Sequence, residues 1–212
     1  MKAIRNGFLT LVVLAVIGGG LFEWWNLDLR WRPHAITRNQ AEITKILEGS
    51  GWVSPGLKGP KLYVITYGAS PEGVRYQQEE FGKLQGAGVD TRVIVIARPD
   101  VNGQSKSTAA ERATVAELWV NRSWGLFQKW SAAGPETWAA SGIPAADGDV
   151  ARSAVVEVGR DAVDKLQPLL KANGIAFAYP VMIWWAKDGT FKGVSGGKPQ
   201  ADGNIRKDLG VG

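Results

Sequence analysis

The sequence predicts a mixed α/β domain with a helical insertion, preceded by one amino-terminal transmembrane helix. Three observations carry this. The aromatic and β-branched run Leu62 to Tyr67 and a second apolar run, Val89 to Ala97, flank a helical stretch. From Thr108 to about Asn173 the apolar residues recur at helical spacing. Val181 to Ala186 and Thr190 to Val194 then flank the turn Lys187-Asp188-Gly189, an aspartate-glycine hairpin signal. With 212 residues the chain accommodates one well-cored domain and a short accessory segment. The expected division is 1–34 for a cytoplasmic stub, membrane span and interfacial segment, 35–60 for a short helix and linker, and 61–212 for the domain, with its insert at about 105–173.

The first element is the span. Lys2 and Arg5 precede an uncharged, mostly aliphatic run from Gly7 to Phe22, the pattern of an export signal. At about 1.5 Å per residue the run covers roughly 24 Å, short of a ~30 Å hydrocarbon core unless its flanks contribute. Trp24, Trp25 and Trp31 supply an interfacial belt, with Arg30 and Arg32 able to reach headgroups. No clear small-x-small cleavage site follows the run, which favours an uncleaved signal anchor over a cleaved signal. Basic residues before the span put the amino terminus in the cytoplasm and the domain beyond the membrane, in a bacterium the periplasm. The expected location is therefore the inner membrane, single-pass, with the lipid bilayer as one partner.

Thr37 with Gln40 forms a capping-box pattern, and Ile43, Ile46 and Leu47 follow at helical spacing before Gly49 and Gly51. Ser50 to Pro60, with three glycines and two prolines, reads as a linker or irregular loop. After the Leu62 to Tyr67 strand, Ser70-Pro71 opens a helix with serine at the cap and proline in the first turn. Tyr76, Phe81 and Leu84 continue it to Gly86. The second strand follows, and a right-handed crossover lays the two strands parallel. In the insert, Trp119, Trp124, Trp130 and Trp138 read as core and inter-helix packing residues. A short helix around Asp202 to Leu209 closes the chain.

Composition removes several functions. The chain has no cysteine, which excludes disulfides, thiolate metal sites and cysteine nucleophiles. One histidine, His34, excludes a multi-histidine metal site and reads as a solvated loop residue. The formal charge of +5 is spread among interleaved acids with no basic block, which argues against a nucleic-acid partner. Asp147-Gly148-Asp149, with Asp161 further on, lacks the spacing of a calcium loop and reads as a turn, so no metal or other cofactor is expected.

The element order strand, helix, strand, helical insert, strand, strand, helix resembles the thioredoxin fold. From Leu62 onward the sequence resembles the catalytic domain of the bacterial Dsb proteins, most closely the DsbC and DsbG disulfide isomerases. In that family a strand ending in an aromatic and a threonine leads to a Cys-x-x-Cys motif at the start of the first helix. Here Ser70, Pro71, Glu72 and Gly73 occupy that place, with Ser70 at the attacking position and Gly73 at the resolving one. Ala178-Tyr179-Pro180 matches the family's cis-proline loop, so the resemblance implies a cis Tyr179–Pro180 bond. From the residues alone, a trans proline at a strand start is the ordinary reading. The family's amino-terminal dimerisation domain has no counterpart; the span and one short helix stand in its place.

Thiol-disulfide exchange needs a thiolate, and a serine hydroxyl forms no mixed disulfide. The expectation is therefore a redox-inactive, non-catalytic protein. It would act as a binding, scaffold or accessory subunit of a membrane complex, or as a free-standing peptide-binding adaptor or holdase, using Ala178, Tyr179, Pro180 and the Ser70 to Gly73 turn as its docking surface. A reading from another class makes Ser70 a hydrolase nucleophile, which requires a base; Glu72 and Lys61 are the available substitutes for a histidine.

Overall fold

A computed structural model describes residues 32–134 and 137–211. The apolar run, Trp24, Trp25, Arg30 and Trp31 lie outside the described residues; Arg32 is described and exposed. Among the described residues, no helix is long and apolar enough to cross a membrane. The chain from Pro33 onward forms one compact unit, which contains everything below.

Its elements are β1 (His34–Ala35), α1 (Gln40–Gly49), β2 (Lys61–Tyr67), α2 (Pro71–Tyr76), a π-helical turn (Gln77–Phe81), α3 (Gly82–Gly86), β3 (Asp90–Ile96), α4 (Ala109–Asn121), α5 (Trp124–Ala133), α6 (Val150–Lys171), β4 (Val181–Trp185), β5 (Phe191–Ser195) and α7 (Pro199–Leu209). One sheet runs β1-β5-β4-β2-β3. As the crossover predicts, β2 and β3 are parallel, and β4 pairs antiparallel with both β2 and β5.

Period-two alternation splits the core into two layers. Leu62 and Val64 of β2, with Met182 and Trp184 of β4, face one side, where Tyr76, Phe81, Leu84, Leu118 and Ile205 cover them. Tyr63, Ile65, Val181 and Ile183 face the other side, under Ile43 and Leu47 of α1 and Val163, Leu166 and Leu170 of α6. The strands are apolar on both faces because helices cover both. Trp130 is buried, and Trp119, Trp124 and Trp138 pack against the first layer, the packing role expected of them.

The segment 35–60 contains the expected short helix followed by an irregular loop, and both are packed into the domain. His34 and Ala35 pair with Gly193 and Lys192 of β5, and Ile36, Ile43, Leu47 and Val53 are all buried. Val53 forms an antiparallel bridge with Val93, its N–H donating to the Val93 carbonyl at 2.9 Å and the Val93 N–H returning 2.8 Å. Nor does Thr37 cap α1. Asn39 holds the cap position with φ 57° and makes no side-chain cap bond. The Gln40 side chain turns back to the Ile36 carbonyl at 2.5 Å. The Thr37 and Arg38 amides instead donate to Asn173 Oδ1, each at 2.9 Å, while Asn173 Nδ2 donates to the Arg38 and Leu169 carbonyls. A residue 136 positions away thus satisfies the backbone that a local capping box was expected to serve.

Candidate functional site

Where β2 ends, its last turn folds back: the Ser70 N–H donates to the Tyr67 carbonyl at 3.1 Å. Ser70 caps α2, its Oγ accepting from the Gly73 N–H at 3.1 Å, and Pro71 fills the first turn. The antiparallel register Ile65↔Val181 places Pro180 at this same end of the sheet. The Tyr179–Pro180 peptide bond is cis, as the resemblance implied.

Sequence reasoning missed the piece that joins the two segments. Gly197, just past β5, lies so close to both that a Cβ there would stand 2.7 Å from Pro180 Cγ and 3.3 Å from Glu72 Cβ. Its φ of +50° also suits glycine. The Gly196 N–H reaches both the Ala178 and Pro180 carbonyls at 2.9 Å, and Arg75 Nη2 donates to the Gly197 carbonyl at 2.7 Å. Arg75 is in turn paired with Asp202 at 2.9 Å, so α7 takes part in holding the corner. The Gly196-Gly197 pair directly after a hairpin strand was the available signal.

Ser70, Gly73 and Lys61 limit the chemistry of this corner. Ser70 is 0% exposed. Gly73 is buried, and a Cβ there would stand 2.4 Å from Thr66 Oγ1. Lys61, considered as a base for Ser70, sits at the opposite end of β2 and pairs with Glu48 at 2.9 Å. Among the described residues, no carboxylate or imidazole is hydrogen-bonded to Ser70. The serine has the geometry of a helix cap, and a hydrolase reading finds no activating base beside it. His34 is exposed, as expected, but lies in β1. Asp147 pairs with Arg112 and Asp149 caps α6 through the Arg152 N–H, so both turn aspartates have structural work.

The cis-proline loop is aromatic. Tyr179 meets Tyr67 edge-on at 5.3 Å and Phe177 edge-on at 5.1 Å, and the Arg98 guanidinium lies 3.9 Å over the Tyr67 ring. Burial raises the Tyr179 hydroxyl pKa, keeping it neutral. Ala178 is exposed and Pro180 buried. Among the described residues, neither the N–H nor the C=O of Tyr179 has a hydrogen-bond partner.

Glu111, at the start of α4 on the far side of Ala69, is 9% exposed, and its Oε1 is buried without a partner. Burial raises its carboxyl pKa above the usual range. The folded state therefore holds this proton more tightly than the unfolded chain. The stability this group contributes is complete below the unfolded-state value and is lost as pH rises through the raised folded-state value. Glu111→Gln, neutral throughout, is expected to show a higher urea midpoint than the parent at pH 7, with the gap closing below about pH 4. Urea titrations at several pH values check this, and a gap independent of pH would refute it.

A sheet of this order, with a helix starting at the end of its first long strand opposite a cis-proline loop, defines a thioredoxin-like fold. No family model matches the chain, and no curated protein matches it. Solved structures do. The chain is similar to Salmonella enterica Typhimurium BcfH, at TM-score 0.52 and 13% identity, covering 100% of this chain and 96% of that one. It is also similar to Proteus mirabilis ScsC in a compact conformation, at TM-score 0.50 and 12% identity, covering 99% and 96%. A linker-deletion variant of ScsC matches at TM-score 0.52 and 15% identity, covering 99% and 94%. At these identities the likeness establishes the fold.

Proposed function

We propose that this protein is a redox-inactive, non-catalytic thioredoxin-fold protein, anchored in the inner membrane with its domain in the periplasm. It uses the cis-proline corner to dock an extended segment of a partner polypeptide, as a scaffold or accessory subunit of a membrane complex. In this reading it descends from a disulfide isomerase of the DsbC and DsbG kind that has lost its Cys-x-x-Cys motif. The supporting observation is the unpartnered Tyr179 backbone beside exposed Ala178, at a corner where the chain has no sulfur. An N–H and a C=O from one residue are what an added strand requires. The location rests on Lys2 and Arg5 before the apolar run and the tryptophans after it.

Tyr179→Ala removes the ring that packs between Tyr67 and Phe177, and Glu72→Arg reverses a half-buried charge beside Gly197. Each is expected to weaken partner capture about tenfold while the fold survives. The measurement is quantitative co-purification from mildly solubilised native membranes. Full retention by both variants would remove the corner as the docking surface. A stoichiometric co-purifying chain is the result expected of a complex subunit, whereas a free-standing adaptor or holdase would bring substoichiometric, varied clients.

A further inference from the structure

A cavity of about 780 Å³ opens between Ala69 and the first turns of the helical insert. Trp130 and Trp138 supply an apolar wall. Arg98 and Lys106 line it, and among the described residues neither forms an ion pair: Arg98 Nε is buried without a partner, and Lys106 Nζ reaches only Gln104 Oε1 at 3.2 Å. Arg112 also lines the cavity but is engaged by both Asp147 oxygens at 2.6 Å. The amino-terminal end of α4, Thr108 and Ala109, faces the same space, adding its positive end. Against this positive lining stands the buried and unpartnered Glu111 Oε1.

The complementary group has two parts: an anion for Arg98, Lys106 and the helix terminus, and next to it an N–H donor for Glu111. A buried acceptor without a donor is destabilising, and a ligand N–H would remove that cost. A phosphate supplies charge but no apolar group for the tryptophan wall. A carboxy-terminal amino-acid residue carries an α-carboxylate, the N–H of its own amide and a side chain for the tryptophan wall. We propose that this cavity binds the free carboxy-terminal end of a partner polypeptide. The inference rests on the reading of the protein as a polypeptide-docking module, and names which part of a partner it takes.

The test uses the full-length chain in detergent micelles and N-acetyl-alanyl-leucine as probe. Binding is followed by the indole N–H resonances of Trp130 and Trp138. The free acid is expected to shift them saturably. Its carboxamide, lacking the charge, and its leucine N-methyl derivative, lacking the donor, are each expected to bind at least about tenfold more weakly. Lys106→Met, at a half-exposed position, should weaken the free acid about tenfold and leave the carboxamide unchanged. Glu72→Arg, at a position that does not line the cavity, should leave all three affinities unchanged, which separates this cavity from the cis-proline corner. No saturable shift with the free acid, equal binding of acid and carboxamide, or indifference to both the N-methyl group and Lys106→Met would each overturn the proposal. Loss of probe binding with retained Tyr179-dependent partner capture would overturn it while leaving the docking corner standing.

Discussion

Gly51→Ala is expected to destabilise the protein by about 3 kcal/mol or more, at the upper end of overpacking costs. A Cβ at this position would lie 2.4 Å from Trp119 Cγ and Cδ2 and 2.6 Å from Trp119 Cα. The obstruction is partly backbone, so a rotamer change cannot relieve it. Trp119 is itself fixed, its indole N–H donating to the Val95 carbonyl at 2.8 Å while its ring packs against both core layers. Urea denaturation followed by tryptophan fluorescence measures the effect. A position in a true linker would tolerate the methyl group within about 0.5 kcal/mol, so a silent Gly51→Ala would contradict the placement of this segment in the core.

The second large effect concerns sulfur. Installing Ser70→Cys with Gly73→Cys is expected to yield no thiol-disulfide exchange activity. Reactive cysteines are accessible thiolates, whereas Ser70 has no exposed surface and Gly73 has no room for a Cβ beside Thr66. Thiol labelling in the native protein should be at least about a hundredfold slower than after unfolding, because the reagent must wait for an opening event. The double variant should also lose roughly 1–3 kcal/mol to the Thr66 clash, and Thr66→Ala should return part of that loss. Rapid labelling with activity in an insulin-reduction assay would show that the corner still admits redox chemistry.

Much of the architecture was legible because local and tertiary demands agree in it. Leu62 to Tyr67, the Ser70-Pro71 helix start and the Asp188-Gly189 turn each carry a local signal that the structure obeys. The leading segment was misread because its partners are remote. Thr37 and Gln40 matched a capping box, but Asn173 supplied the bonds. Three glycines between Ser50 and Pro60 read as a linker or irregular loop, whereas Gly51 is a close-packing requirement set by Trp119. Of the candidate site, Ser70 to Gly73 and Ala178 to Pro180 could be located only through the resemblance to the Dsb catalytic domain. Gly197 and Arg75 could not, since their role arises only where α7 and the β5 exit meet α2. Glu111 escaped notice because an acid in the first turn of a helix is usually a solvated, dipole-matching residue, and nothing local reveals that the insert closes over it.

The placement of Val53 and of β1 has a consequence for how any partner can approach. The ten-residue helix α1, about 15 Å long, crosses one face of a sheet roughly 19 Å wide. Before it the chain pairs with β5, and after it with the middle of β3, so a single stretch clasps both margins of the sheet. Unpaired strand margins invite indiscriminate pairing and fibril growth. With both interrupted by its own chain, this domain directs strand-like association to the strand ends, where the Tyr179 backbone waits. The domain is thereby guarded against polymerising with its own copies through its strand margins.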